Sequence, residues 1–279
     1  MSCGNSMAAK AAGYSSAEAF CQAQLAFDPY GYYLTSEAGS GGPSSVDAKP
    51  AWQRQIFNAA KDQSRDLPDV SLFAGSYHGV TWAVICSSYY PCSPEFNQDT
   101  TLFEGGTSLF APMFAGIQAL MDQGLAKRGV QKDQGNAAPI PYALAASEYG
   151  GASGAAPSSF AACSADQGTN GTSGCVFHNV IRGSISTNCV SADQLFLGGN
   201  QYQTANCFIY GTTQHGQAMF GLATSDAAPT SYGPSNKAFG AQPGWSFASG
   251  LGSVNATNLL IAWRAFVNAP PATVSASYK

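Results

Sequence analysis

The chain has 279 residues, of which 10% are charged, and a formal net charge of −4. No Lys/Arg-rich run interrupts this sparse, acidic balance, which argues against nucleic acid as a partner, and no apolar run nears the roughly 18 residues of a bilayer span, which argues against membrane insertion. The 45% apolar share is enough for a sizeable core, so the surface must be polar mainly through uncharged Gly, Ser, Asn, Gln and Tyr.

In chain order, Ser15 or Ser16 is placed to cap a helix over 16–25, with Glu18 in its first turn. "SEAGSGGPSS" then breaks regular structure. From Pro50, "PAWQRQIFNAAKDQ" predicts a short amphipathic helix with Trp52, Ile56, Phe57 and Ala60 at helical spacing. Val70, Leu72 and Phe73 predict a brief buried strand, and "TWAVICSS" predicts another. The clearest helix runs from Ser108 to about Lys127, with Phe110, Met113, Phe114, Ile117, Leu120 and Met121 on one stripe and Pro112 near its start. Between Ala152 and Pro234 the Gly/Ser/Asn/Thr/Cys-rich text reads as loops tied by disulfides. Order returns in a terminal helix over 255–266, which Asn255 or Thr257 could cap, and "VNAPPATVSASYK" has linker composition.

Eight cysteines stand at Cys3, Cys21, Cys86, Cys92, Cys163, Cys175, Cys189 and Cys207, with none of the C-x2-C spacing of zinc or redox sites. Local pairing is expected as Cys86–Cys92, Cys163–Cys175, Cys189–Cys207 and Cys3–Cys21, against the alternative of buried thiols. Disulfides imply an oxidising, extracellular setting. The opening "MSCGNSMAAKAAGYSS" has no basic segment leading into an apolar one, so it is not an export signal, and the chain is expected to lack its true beginning. The N-x-T sequons at Asn170 and Asn255 are read as incidental.

The chemistry-bearing stretch is "GGTSLFAPMFAG", Gly105 to Gly116. Gly105 and Gly106 permit a tight turn before Thr107, and Ser108 at the helix start sits beside unpaired N–H groups and the positive dipole end, the setting of an acyl-transfer nucleophile. The plainer alternative is that Thr107 or Ser108 is an N-cap.

"GGTSLFAPMFAG" resembles the G-T-S-x-x-x-P-x-x-A-G signature of subtilisin-fold serine peptidases. Taken in order with "GSGGPSSVDAKPAWQ", "RDLPDVSLFA", "FHNV" and "GWSFASGLGSVNATNLL", it resembles the second half of the catalytic domain of the sedolisins, the serine-carboxyl peptidases, over about 39–260. The "SCGN…GYSSAEAFC" opening is similar to a loop of bacterial members. The resemblance implies an α/β fold with a subtilisin-like parallel sheet and flanking helices, here its C-terminal portion plus a disulfide-tied loop region. It implies segments at 1–35 (a loop and helix of a truncated catalytic domain), 36–266 (the peptidase part) and 267–279 (a tail). It makes Ser108 the nucleophile.

A serine nucleophile needs a base. The upstream His78, like His178 and His215, lies in no supporting motif and reads as loop decoration. The family instead uses a Glu-x-x-x-Asp pair and a protonated aspartate at the oxyanion, which ties it to acid pH, and all three positions precede the matched region. Glu95 and Asp99 have that spacing but occupy a variable loop, and Asp62 and Asp66 read as surface charges or support for a strand turn. The family also binds one calcium. The equivalent positions here are Asn179, Val180, Gln242, Gly244 and Ser246, with Asn and Ser where acids would stand, so the site is expected to be degenerate.

The function implied is a secreted, monomeric acid endopeptidase acting on protein or peptide substrates through an acyl-enzyme on Ser108. This chain would be a fragment lacking its N-terminal catalytic part and propeptide, and nearly inactive alone. The alternative is a non-catalytic extracellular module for binding or display, in keeping with the low-charge, Tyr/Ser/Gly-rich composition.

Overall fold

A computed structural model describes residues 6–16, 19–20, 23, 38–59, 61–75, 83–92, 102–127, 129, 134–151, 159–171, 173–190, 195–196, 200–201, 206–212 and 219–268. The elements in order are α1 (Ser6–Ala11), β1 (Gly42–Ala48), a 3-10 turn (Ala51–Gln55), β2 (Ser64–Leu67), β3 (Ala83–Ile85), β4 (Leu102–Glu104) and α2 (Thr107–Ala126). They continue with α3 (Pro139–Tyr149), α4 (Ser159–Ala162), a second 3-10 turn (Ala165–Asn170), β5 (Phe177–His178), β6 (Asn188–Val190), β7 (Leu195–Phe196), β8 (Asn200–Gln201), β9 (Cys207–Thr212), β10 (Met219–Ala223), β11 (Ser253–Val254) and α5 (Ala256–Asn268).

Helices therefore mix with small sheets, each of two or three antiparallel strands among the described residues. A subtilisin-like parallel sheet is not among them. The one parallel pairing described is the single bridge Ser164 to Asn179. The Ala152–Pro234 region is more regular than loops: β6, β10 and β9 form a three-stranded sheet, and the Cys189–Cys207 disulfide ties its two outer strands.

Three expected disulfides are present, Cys86–Cys92, Cys163–Cys175 and Cys189–Cys207, and they suit an extracellular or otherwise oxidising location. Cys3 and Cys21 lie outside the described residues. No described helix is long and apolar enough to cross a membrane.

The main core gathers Ile56, Met121, Leu125, Tyr142, Tyr149, Phe177, Trp245, Leu251, Leu259 and Trp263 around the Cys163–Cys175 disulfide. Helix α3, which the sequence pattern did not announce, runs through it. Its prolines Pro139 and Pro141 fall in the first turn, where a missing N–H costs no intrahelical bond. At Gly124 in α2 a Cβ would lie 2.8 Å from Leu260, so the glycine lets α5 approach closely. Asn255 caps α5, accepting the Asn258 N–H at 3.1 Å, and Ser16 accepts the Ala19 N–H at 3.0 Å.

Several expectations shift. The helix from Pro50 shrinks to the 3-10 turn, because Ile56 leaves it to bridge Gly151. Gly42–Ser45, read as a break, open strand β1 against β2. The strand placed at Val70–Phe73 lies upstream at Ser64–Leu67, and Phe73 is half exposed. On α2, Met113 (40%) and Leu120 (60%) are exposed, whereas Leu109 (7%) and Gly124 join the buried side. The stripe thus packs through Phe110, Phe114, Ile117 and Met121, with Met113 and Leu120 off the core.

Candidate functional site

Strand β4 ends at Glu104, and two residues later Gly106 takes φ 82° and ψ 178° as the N-cap of α2. That backbone is open to glycine and strained for other residues, while nothing lies within 4 Å of where a Cβ would stand, so conformation alone demands the glycine. The Gly106 N–H donates to the Ala74 carbonyl at 2.5 Å, which pins the turn to the preceding segment. With the cap position occupied by Gly106, no side chain caps the helix. Thr107 and Ser108 follow in the first turn, both exposed. The plain N-cap alternative for this pair is therefore overturned.

In the first turn the Leu109 N–H donates to the Gly106 carbonyl at 3.1 Å, while the N–H groups of Thr107 and Ser108 precede any i→i−4 acceptor. Pro112 cannot donate back to the Ser108 carbonyl, which loosens the same turn. Ser108 lines a cavity of about 380 Å³ with Gly39, Ala74, Gly75, Gly106 and Thr187. A second cavity of about 310 Å³ shares Gly39, Ala74 and Thr107 and continues past Val70, Leu72 and Phe110. Its walls are the Gly39–Gly41 segment and Pro68–Ala74. The latter is tied down where Leu251 N–H meets the Asp69 carbonyl (2.8 Å) and Ser71 N–H meets the Gly252 carbonyl (3.0 Å). Among the described lining residues of both cavities there is no carboxylate, imidazole or cation. An exposed hydroxyl here can attack a carbonyl once a base takes its proton, and neighbouring N–H groups can hold the resulting oxyanion.

The other sequence candidates scatter. His78, His215, Glu95 and Asp99 lie outside the described residues. His178 sits in β5, paired with Ser253. Asp66 is not a surface charge: Lys49 Nζ lies 2.5 Å from it, and both side chains are fully buried. Asp62, 3.2 Å from the same Nζ, is partly exposed and accepts the Ser64 N–H at 2.8 Å, supporting the turn into β2. Burial pushes the Asp66 carboxyl up, against the pull of Lys49. Burial acts likewise on Asp62, but the Ser64 N–H and Lys49 outweigh it and hold that carboxyl below the usual range.

Next to this cluster runs a polar network that sequence reading did not find. Gln53 bonds both the N–H and carbonyl of Asp66, at 2.9 and 2.8 Å. The Tyr142 hydroxyl accepts from Gln53 and from the Trp245 indole, each at 2.9 Å, and donates to Asp69 at 2.9 Å. Burial drives the Tyr142 phenol far above its ordinary value. Asp69 also pairs with Arg65, whose guanidinium lies over Trp52. Apart from the Arg65–Asp69 pair at i, i+4, contacts distant in sequence assemble this network, so no local motif signals it.

Of the positions aligned with a calcium site, Asn179 and Gly244 come together, but not as a cation cage. Asn179 is fully buried; its Oδ1 accepts the Gly244 N–H at 3.0 Å and its Nδ2 donates to the Gly244 carbonyl at 2.7 Å. Gln242 donates to the Trp245 carbonyl at 3.1 Å, and Ser246 Oγ is shared with Ser249 at 3.1 Å. None of these five positions carries an anionic oxygen, and the Gly244 carbonyl already accepts the Asn179 Nδ2–H. These residues do not fit calcium. A further grouping, Glu148 with Cys163 and Cys175, is compatible with a metal only by proximity, since both sulfurs are in the disulfide.

No family model matches the chain, and no curated protein matches it significantly.

Proposed function

We propose that this chain is the C-terminal catalytic portion of an acid-acting endopeptidase of the serine-carboxyl, sedolisin class, with a subtilisin-type fold and Ser108 as nucleophile. The carrying observation is that Ser108 stands in the first turn of α2, exposed and lining a cavity, while Gly106 holds the capping position. The ordered motifs from Gly39 to Leu260 support the same reading. Gly105, Gly106 and Thr107 shape the turn that presents the hydroxyl. The first-turn N–H groups stabilise the tetrahedral oxyanion, and acylation of Ser108 followed by hydrolysis completes turnover.

The general base and an oxyanion carboxylic acid belong to a preceding segment that packs against the exposed face of α2, where Met113 and Leu120 stand in solvent. Substrates are proteins or peptides, the enzyme works as a secreted monomer, and a propeptide precedes it. The test is peptide hydrolysis at acid pH by protein made with its upstream coding sequence, wild type against Ser108→Ala. Activity lost in the variant supports the proposal, and equal activity refutes it.

The absence of any titratable group from the described cavity linings favours a second reading, a non-catalytic extracellular module. Such a module would hydrolyse nothing even with its upstream segment, and would lead into no carboxylate helix in frame.

A further inference from the structure

Asn179 follows β5, and its main chain is already committed: its N–H donates to the Cys163 carbonyl at 2.8 Å and its carbonyl accepts from Ala165 at 2.9 Å. The side chain then spends both ends of its carboxamide on one residue, Gly244. Gly244 is itself wedged. It has φ +83°, a Cβ there would stand 2.5 Å from the Phe57 carbonyl, and the next N–H, from Trp245, donates to that same carbonyl at 3.0 Å. One buried amide therefore joins segments around Cys163, Asn179, Gly244 and Phe57.

The Gly244 carbonyl points into a space without water contact and needs a positive partner there. A divalent cation could supply it, and so does the Asn179 Nδ2–H. We propose that the Asn179 carboxamide is a cation-independent joint holding the Gln242–Trp245 turn to β5. In Asn179→Asp, a carboxylate oxygen would replace the nitrogen that now lies 2.7 Å from the Gly244 carbonyl oxygen. Two acceptors would then face each other in a buried space, a conflict that protonation of the carboxyl relieves by restoring a donor. This stands independently of the peptidase reading.

Thermal melting in EDTA and in calcium chloride tests it. Wild-type curves should coincide in the two buffers. Asn179→Ala should melt lower by on the order of 5 °C in both. Asn179→Asp should also melt lower than wild type at neutral pH, equally in the two buffers, and recover part of the loss at acid pH, where the protonated carboxyl can donate to the Gly244 carbonyl. Loss of wild-type stability in EDTA, stoichiometric calcium in the purified protein, or an Asn179→Ala variant that melts with wild type would overturn the proposal. The wild-type comparison and metal analysis decide the matter even if a variant fails to fold.

Discussion

Lys49 and Asp66 form an ion pair with neither side chain reaching solvent, Nζ lying 2.5 Å from Oδ2, with Lys49 just past the end of β1 that the chain connects to β2. Removing one partner strands a buried charge, which costs far more than the pair contributes. Lys49→Ala should lower unfolding free energy by about 3–5 kcal/mol in urea titration. The double variant Lys49→Met, Asp66→Leu should recover most of that loss, because no charge is then buried.

Tyr142 is a hub rather than a spectator. Its hydroxyl serves Gln53, Trp245 and Asp69 at once, so Tyr142→Phe orphans two buried donors. A loss of about 2–4 kcal/mol is expected, at roughly 1–3 per unsatisfied group with partial relaxation. An effect under about 0.5 kcal/mol, the usual range for unremarkable surface changes, would show that the network is not formed in solution.

Glu148 gives a pH signature. Burial raises its carboxyl above the ordinary 4.5, despite N–H donation from Val176 and Phe177. The folded state then holds this proton more tightly than the unfolded chain, so the group's favourable contribution is complete below about pH 4.5 and is lost as pH rises through the folded value. Melting temperatures of wild type and Glu148→Gln, taken from acid to neutral pH, should show the wild type faring best relative to the variant at the acid end. A relative gain for wild type on going to neutral pH would reverse the assigned sign.

Ser108→Ala separates a reactive hydroxyl from a structural one. A capping serine costs about 1 kcal/mol when replaced by alanine. With Gly106 at the cap, Ser108→Ala should stay within about 0.5 kcal/mol of wild type in chemical denaturation. A full capping loss would return the hydroxyl to a structural role.

What the sequence made legible was local. Helices α2 and α5 announced themselves by apolar spacing and by Asn255, and three disulfides by short separation along the chain. Helix α3 did not, because its early prolines look like breakers and an element buried on several sides loses the polar face that marks amphipathicity. Asp62 and Asp66 looked like solvated charges because Lys49, their partner, reaches them only across the β1–β2 pairing. At the candidate site the glycines and the position of Ser108 could be read directly. The flanking wall from Pro68 to Ala74 could not, since its shape comes from bonds to Gly252 and Leu251.

The most direct test of Ser108 as nucleophile is intact-mass and peptide mapping of protein made with its upstream coding sequence, quenched during peptide hydrolysis at acid pH. An acyl adduct on the peptide containing Ser108, absent from Ser108→Ala, is the predicted result. Hydrolysis that persists in Ser108→Ala, or an adduct on another residue, would contradict it.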